Sequence, residues 1–213
     1  MQKLDLKKQL KHLYAPSART VEIVQVPRLQ FAMIDGKIEP GHRPGDSPRF
    51  QAATAVLFGI AYTLKFMSKQ QAENPIDYGV MPLEALWWIE EGEFDFDRPD
   101  NWHFTAMIMQ PEHITGALFA EALARQRKKA DAPILHDLRF ASFEEGLCVQ
   151  TLHIGPYATE PATVARMEAF ARDQGYLFHR KHHEIYLSDP RRTAPEKLKT
   201  ILRHPVERSE PVG

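Results

Sequence analysis

The sequence predicts an α+β fold in which two similar halves are built from antiparallel strands covered by helices. Segments that alternate apolar and polar residues, typical of strands, are interleaved with segments whose apolar residues recur every three or four positions, typical of helices. The order strand, helix, hairpin and proline-opened helix occurs twice along the 213 residues. The junctions at 107–115 and 185–193 also match, since each leads from an apolar strand through a proline to a helix cap. Two such halves would join through their sheets and leave a groove for a small ligand.

The composition is that of an ordinary globular protein. Hydrophobic residues make up 43% and charged residues 26% of the chain, and no apolar run approaches the roughly 20 residues of a membrane helix. The N-terminus lacks the apolar core and cleavage site of a secretory signal. Cys148 is the only cysteine, so no disulfide forms within the chain. We therefore expect a cytoplasmic protein with no membrane partner.

Charge and histidine spacing argue against two further classes of function. The formal net charge is −1 and the basic residues are dispersed, which gives no support for a nucleic-acid partner. Ten histidines are present, but none has a spacing suited to zinc. We expect no metal site, and Cys148, between Leu147 and Val149, is expected to be a buried hydrophobe rather than a nucleophile.

In the first half, residues 1–18 are expected to form a short arm or a helical lead-in that packs on the body. The long strand that follows carries Pro27 at a kink or an edge position. A helix then starts at Ser47-Pro48, and a proline at 111 opens the helix that ends this half. The predicted elements are a strand at 20–34, a helix at 48–67, a hairpin of 78–90 with 102–110, and a helix running to about 129.

In the second half, Glu144-Glu145-Gly146 predicts the turn of a hairpin between two strands. Thr159-Glu160-Pro161 begins a helix and Gly175 terminates it. The Thr193-Ala194-Pro195-Glu196 segment predicts a helix N-terminus. The predicted elements are strands at 134–143 and 147–154, a helix at 162–174, strands within 176–187, and a helix at 193–202.

The stretch at 182–187 carries the strongest functional signal. On a strand, His182, Glu184 and Tyr186 share one face, while Ile185 and Leu187 share the other. If the polar face looks into a cavity, Glu184 anchors a binding or catalytic site, because a carboxylate out of water needs a partner or a role. The alternative is a solvated outer face on an edge strand, which alternates in the same way.

Several aromatic and polar residues have two interpretations. Trp87 and Trp88 point to opposite faces of a strand, and we favour Trp88 for the cleft because period two groups it with Glu84. Tyr62 could reach the cleft or simply pack. The same ambiguity applies to two more residues: Met107 is core or adaptable pocket lining, and His153 is more often a structural hydrogen bonder than a catalyst.

Motifs along nearly the whole chain resemble the GyrI-like small-molecule-binding proteins. The matching stretches are 3–14, 61–67, 80–88, 107–111, 153–157 (His-Ile-Gly-Pro-Tyr) and 175–198, which contains His-His-Glu-Ile-Tyr-Leu-Ser-Asp-Pro. The similarity is greatest to a free-standing branch related to cyclopropanoid cyclopropyl hydrolases. Those enzymes open the cyclopropane of yatakemycin- and duocarmycin-type alkylators.

The resemblance implies a fold and a domain plan. The fold is a pseudo-twofold pair of strand-helix-strand-strand modules, of the SHS2 type, with antiparallel sheets and a central aromatic cleft. The domain would span 19–206, with halves at about 19–130 and 131–206, an N-terminal arm at 1–18 and a tail at 207–213. The arm is too short for a helix-turn-helix.

The resemblance also implies the site. The family's glutamate falls on Glu184, a general base that draws a proton from water, and Tyr157 or Tyr186 holds that water or donates to the developing oxyanion. No cofactor is needed. Flat ligands would stack on aromatic walls. The residues expected to bind ligand are Trp88, Trp87, Trp102, Phe178, Tyr186, Tyr62, Met107 and His153.

Two functions follow from the same residues. One is hydrolysis of cyclopropane-bearing electrophilic xenobiotics. The other is binding or sequestration of amphipathic or cationic drugs without turnover, with Glu184 as the counter-ion. The expected partners are small flat or amphipathic organic molecules, and the oligomeric state is left open.

Overall fold

A computed structural model describes residues 2–92, 95–96, 98–129 and 133–209. The strands are β1 (Gln2–Leu4), β2 (Glu22–Lys37), β3 (Ile76–Tyr78), β4 (Leu83–Trp88), β5 (His103–Gln110), β6 (Arg139–Ile154), β7 (Tyr176–Phe178), β8 (His182–Tyr186) and β9 (Lys199–Arg208). The helices are α1 (Leu6–Gln9), α2 (Lys11–Tyr14), α3 (Pro48–Lys69), α4 (Gly116–Lys129) and α5 (Glu160–Asp173).

Six strands form a closed antiparallel barrel. Their order is β6-β2-β5-β4-β8-β9, and β9 pairs back onto β6, while β7 extends the sheet from β9. Closure removes the free edges that an open sheet would present. The mixed fold with an antiparallel sheet is therefore confirmed, and every barrel strand has an inner and an outer face.

The two halves of the chain pair their strands in the same order. In the first half β5 lies between β2 and β4, and in the second half β9 lies between β6 and β8. The halves meet where β4 pairs with β8 and where β2 pairs with β6. The β4–β8 junction is the seam between them.

Helices α3 and α5 cover the outer face on either side of this seam. Helix α3 packs on β2 and β5, and α5 packs on β6 and β7. Helix α3 begins at Pro48 because Ser47 caps it, its Oγ accepting a hydrogen bond from the Phe50 N–H. The seam lies between the two helices.

By length and composition, α3 is long and apolar enough to cross a membrane, contrary to the expectation that no such segment is present. Its apolar side is nevertheless buried against the barrel, through Leu57, Ile60 and Leu64. Tyr62 and Phe66 are half exposed on its other side. This is the arrangement of a core helix that covers a sheet.

The N-terminal arm packs against residues of the barrel interior. Leu13 and Tyr14 are buried, and the Tyr14 hydroxyl donates a hydrogen bond of 2.7 Å to Glu84. Arg203 and Gln150 donate to the main-chain carbonyls of Leu13 and His12. The arm is thus bound to the interior of the barrel by polar contacts.

Two predicted elements are wrong. The helix expected at 193–202 is a short 3-10 turn, Pro195–Lys197, followed by strand β9. Leu198, Ile201 and Leu202 are all buried, because strand β9 is covered on both faces. Their spacing in the sequence is also the spacing of apolar residues on one side of a helix.

The hairpin expected at 144–146 is absent from this described part of the chain, because β6 is continuous from Arg139 to Ile154. Gly146 has a φ of +84°, which fits a local distortion rather than a reversal. Opposite it, the pairing with β2 passes from Val26–Gly146 to Arg28–Glu144, so that Pro27 stands at a break in the ladder. Proline has no N–H to donate, which fits the position of Pro27 at this break.

Candidate functional site

Two carboxyl groups are buried together on the outer face of the barrel. Glu184 comes from β8 and is 6% exposed, and Glu160 comes from the first turn of α5 and is 2% exposed. Tyr157, Tyr186 and Trp87 surround them. We call these five residues the seam site.

Strand register places Glu184 at this position. Within β8, alternation puts His182, Glu184 and Tyr186 on one face, and Trp87 of β4 is paired with His182. Trp87 is in turn paired with Phe104 of β5, whose ring contacts the α3 side chain of Phe50 with centroids 5.0 Å apart. The Glu184 face is therefore the helix-covered, outer face.

A tight turn places Glu160 and Tyr157 over β8 and β9. Gly155 has a φ of +143°, which favours glycine, and its N–H donates to the Leu198 carbonyl. His153 stabilises this turn, with Nδ1 at 2.8 Å from Thr163 Oγ1 and Nε2 at 3.3 Å from the Pro156 carbonyl. Burial lowers the pKa of His153, so the ring is neutral.

Glu160 keeps its proton at neutral pH. Burial and then the nearby charge of Glu184 raise the pKa of Glu160 to about 10, since two carboxylates in one dry site do not both ionise readily. Its Oε1 has no hydrogen-bond partner among the described residues. The seam site thus contains a neutral carboxylic acid beside the Glu184 carboxyl.

Both tyrosines remain protonated donors. Burial, followed by the charges of Glu184 and Glu160, raises the pKa of Tyr157 to about 12. Burial and Glu184 also raise the pKa of Tyr186 well above its usual value. Tyr186 is hydrogen-bonded to Glu184 and accepts a bond of 3.1 Å from Trp87 Nε1. The two phenol rings meet edge to face at 6.0 Å.

An aromatic wall continues from the seam site through His182. His182 Nε2 lies 3.4 Å from Glu184 Oε1, and the ring of Phe96 stands edge-on to His182 at 5.8 Å. Trp102 lies 5.5 Å from Trp87, between centroids. This wall offers stacking surfaces next to a polar floor.

The structure brings together Glu184, Tyr157, Tyr186 and Trp87, with Trp102 adjacent. Phe178 is separated from this wall by the ring of His204. The Phe178 and His204 rings stack with centroids 4.1 Å apart, and the His204 centroid lies 5.8 Å from that of His182. Tyr62 is 49% exposed on the surface of α3.

Two expected residues lie elsewhere. The preference for Trp88 over Trp87 is corrected, because Trp88 is on the opposite face of β4, where the Lys181 ammonium lies 3.1 Å from its ring centroid. Met107 is fully buried and is paired with Glu84, so alternation places it inside the barrel.

Sequence reasoning missed Glu160 and an inner charge network formed by Glu84, Glu145, His183 and Arg203, all of which are buried inside the barrel. The only signal in the sequence was a polar residue within an apolar strand, as at Leu83-Glu84-Ala85.

His183 bridges two carboxylates, with Nε2 at 3.0 Å from Glu84 and Nδ1 at 3.0 Å from Glu145. Arg203 lies 3.4 Å from Glu145.

The ionisation of this network is set by the pairing. Burial alone would lower the pKa of His183. The nearby carboxyl groups of Glu145 and Glu84 outweigh this effect and raise the pKa to about 9. Burial raises the pKa of Glu145, but His183 and Arg203 lower it to about 2. Each charge is therefore neutralised by a partner.

Within the described ranges, no group of three or more His, Cys, Asp or Glu side chains is arranged to hold a metal ion. Cys148 is buried, and burial raises the pKa of its thiol. It has the properties of a small hydrophobe.

Comparison with known proteins identifies a family and several solved relatives. The model of the GyrI-like small molecule binding domain matches residues 19–207. An uncharacterized conserved protein from Listeria innocua is 40% identical, covers 96% of this chain and all of its own, and superposes with a TM-score of 0.86. No curated protein matches the chain.

Two crystal structures of hydrolases from Listeria innocua are also similar. One is 37% identical, covers 96% of this chain and all of its own, and has a TM-score of 0.81. The other, encoded by lin2189, is 40% identical, covers 97% of this chain and all of its own, and has a TM-score of 0.84. The C-terminal domain of EcmrR, 11% identical with a TM-score of 0.52 over 89% of this chain and 98% of its own, shows the fold alone.

Proposed function

Because this chain belongs to the GyrI-like small-molecule-binding family, we propose that it hydrolyses electrophilic xenobiotics bearing a cyclopropane and so detoxifies them in the cytoplasm. The observation that carries the proposal is the buried pair of Glu184 and protonated Glu160 between two tyrosines. A protonated carboxyl group beside a second carboxyl group is a common arrangement for acid and base chemistry. The Listeria hydrolases at 37–40% identity support the reaction class.

Glu184 is the proposed base. As a water oxygen attacks the strained ring carbon, the carboxylate takes its proton, a carbon–oxygen bond forms and a ring carbon–carbon bond breaks. The released electron pair moves into the conjugated carbonyl, whose oxygen becomes a phenolate. Tyr186, hydrogen-bonded to Glu184, holds the carboxylate in place.

Glu160 and Tyr157 are the proposed donors to that oxygen. Both carry a proton at neutral pH: Glu160 because burial raises its pKa to about 10, and Tyr157 because a phenol is ordinarily protonated there. Glu160 Oε1 has no partner among the described residues. Preorganised donors stabilise charge that develops in the transition state. One of the two donors gives its proton to the phenolate. The proton that Glu184 took from the attacking water then passes through water to that donor, so both groups return to their starting states.

Trp87, Trp102 and Tyr186 are the proposed binding surface for a flat ligand. Stacking on such rings contributes on the order of 1 kcal/mol each beyond buried area. We also propose that the two halves are SHS2-type modules related by a pseudo-twofold axis through the seam. The shared strand order of the halves supports this relationship.

Sequestration of amphipathic or cationic drugs is the second candidate. The observation that favours it is the proximity of the Glu184 carboxyl to several aromatic rings, since ring faces and a carboxylate together attract organic cations. In that case the ligand leaves unchanged.

The test is to mix the protein with an excess of a duocarmycin-type alkylator and follow the products by mass spectrometry. Hydrolysis predicts ring-opened, hydrated product in excess over protein, whereas sequestration predicts protection limited to one ligand per site. Glu184→Gln should abolish turnover and still bind a neutral ligand, while Glu168→Gln, on the exposed side of α5, should behave as wild type. Full turnover by Glu184→Gln would remove Glu184 from the role.

A cationic ligand distinguishes the second candidate. Under sequestration, Glu184→Gln should weaken its binding by about 1 to 3 kcal/mol, as expected for the loss of a charge-assisted partner. Calorimetric titration measures this change directly.

A further inference from the structure

The inner face of the barrel, opposite Glu184, lines a half-open cavity, and Arg139, Ser142 and Arg180 are its exposed lining residues. Its volume is about 540 Å³, within the range of about 300–1,000 Å³ typical of small-molecule sites. The cavity is lined by Met33, Leu86, Thr105, Arg139, Ala141, Ser142, Phe143, Glu145, Arg180, Lys181 and Pro205. We call it the lumen cavity.

The two ends of the lumen cavity differ in chemistry. Met33, Leu86, Ala141 and Phe143 provide an apolar wall inside the barrel. Arg180 and Lys181, which immediately precede β8, bring two cations to it, and Arg139 at the start of β6 brings a third. The cavity therefore suits a ligand with an apolar body and a charged end.

Two of these three cations already have partners. Arg139 is paired with Asp35, at 2.5 and 3.1 Å, and Lys181 lies over the Trp88 ring. Arg180 makes no salt bridge with any residue in the described ranges. Its guanidinium is the cation with donors left for a ligand.

The acidic residue in the lining does not repel an anion. Glu145 is bound by both His183 and Arg203. Around the cavity and the inner charge network, five cationic groups stand against three carboxylates, so the local charge is positive. The cations are Arg139, Arg180, Lys181, His183 and Arg203, and the carboxylates are Asp35, Glu84 and Glu145.

The backbone at Arg180 adds an independent observation. Its φ is +62°, in the left-handed region that glycine and asparagine adopt at lower energy. The neighbouring chain is held there by a hydrogen bond from the His179 N–H to the Pro205 carbonyl. An arginine in a strained conformation at a cavity is consistent with a requirement for its side chain.

We propose that the lumen cavity is a second small-molecule site, which takes an amphipathic anion such as an aryl or short-chain carboxylate or sulfonate. The apolar body lies against Met33, Leu86 and Phe143, and the anionic group is bound by Arg180. The site is on the other face of β8 from Glu184, so it stands whether or not the seam site is catalytic.

The test uses anilinonaphthalene sulfonate as the probe, titrated into the full chain by fluorescence and calorimetry. Wild type should bind one dye saturably. Arg180→Gly removes the cation and relaxes the backbone, so the fold is retained, and affinity should fall about tenfold. Arg172→Ala, which removes an exposed cation from α5, should leave affinity unchanged. Absence of binding to wild type, or equal loss in both variants, would overturn the proposal.

A second set of variants locates the bound dye. Ala141→Trp fills the cavity and should abolish binding, whereas Glu184→Gln should not change it. Tetraphenylphosphonium, an apolar cation, should not displace the dye. Binding that survives Ala141→Trp, is lost in Glu184→Gln, or is displaced by the cation would contradict an anion site in the lumen.

Discussion

The proton on Glu160 links the seam site to solution pH. Its pKa is about 10 in the folded chain against an ordinary value of 4.5, because burial and the charge of Glu184 disfavour its ionised form. The folded chain therefore holds a proton that the unfolded chain releases across this interval. The contribution of Glu160 to stability is greatest below about pH 4.5 and falls as pH rises towards 10.

Glu160→Gln retains the shape of the neutral acid without its titration. We expect the variant to gain stability relative to wild type as the pH is raised from about 5 to about 9. Urea unfolding at both pH values measures the difference in free energy. Glu168→Gln, whose side chain is exposed, is the control, and a constant difference between Glu160→Gln and wild type would contradict the assignment.

At the residue scale, periodicity identified only part of the site. The two-residue spacing of His182, Glu184 and Tyr186 was sufficient to place Glu184 on a distinct face. The spacing could not show whether Trp87 or Trp88 lies on the same face as Glu184. Alternation within β4 does not give the register between β4 and β8. Glu160 was missed because a glutamate before Pro161 is also what a helix N-terminus favours.

At the level of elements, β2 and β5 meet at a glycine. Gly36 is paired with Phe104, and a Cβ added to Gly36 would lie 2.3 Å from the Phe104 ring. The ring packs directly on the glycine backbone and also contacts Phe50 of α3. This glycine is required by contact with the ring.

Gly36→Ala should therefore destabilise the protein by about 1–3 kcal/mol, as is typical when a packed core is overfilled. Chemical denaturation gives the value. Gly116→Ala is the matched control, since no atom lies within 4 Å of its added Cβ, and alanine is favoured in a helix. Similar stabilities for the two variants would show that Phe104 moves away without cost.

The elements were predicted best where one face alone is buried. Helices α3 and α5 each bury one side and were found near their observed bounds. Strand β9 has both faces covered, with Ile201 facing the interior and Leu202 packing under α5. Two adjacent buried residues fit a helix as well as a strand, so the local pattern did not distinguish them.

On the scale of the whole molecule, the N-terminal arm is part of the barrel. The bond from Tyr14 to Glu84 joins residues 70 positions apart, and Arg203 reaches the Leu13 carbonyl across 190 positions. Barrel closure through β6 and β9 is equally long-range. The sequence could indicate two similar halves, but pairings at such separation depend on registers that no local pattern specifies.

Tyr14→Phe should destabilise the fold by about 1–3 kcal/mol, because Glu84 loses a donor in a place that water does not reach. Thermal and urea unfolding test this expectation. Tyr62→Phe removes a hydroxyl from a half-exposed ring and should have little effect. If Tyr14→Phe proved as stable as that control, the arm would not be held by this bond.

Strand β8 separates two chemistries within five residues. Substitutions that reshape the helix-covered surface of this strand leave the ion pairs behind it untouched, because adjacent side chains point through opposite sides of a single layer of backbone. A lineage could thus acquire new substrates on one side while the other side continues to hold the barrel together. A shift of the strand by one residue would exchange the two sets of side chains, so its alignment with β4 and β9 is under strong constraint.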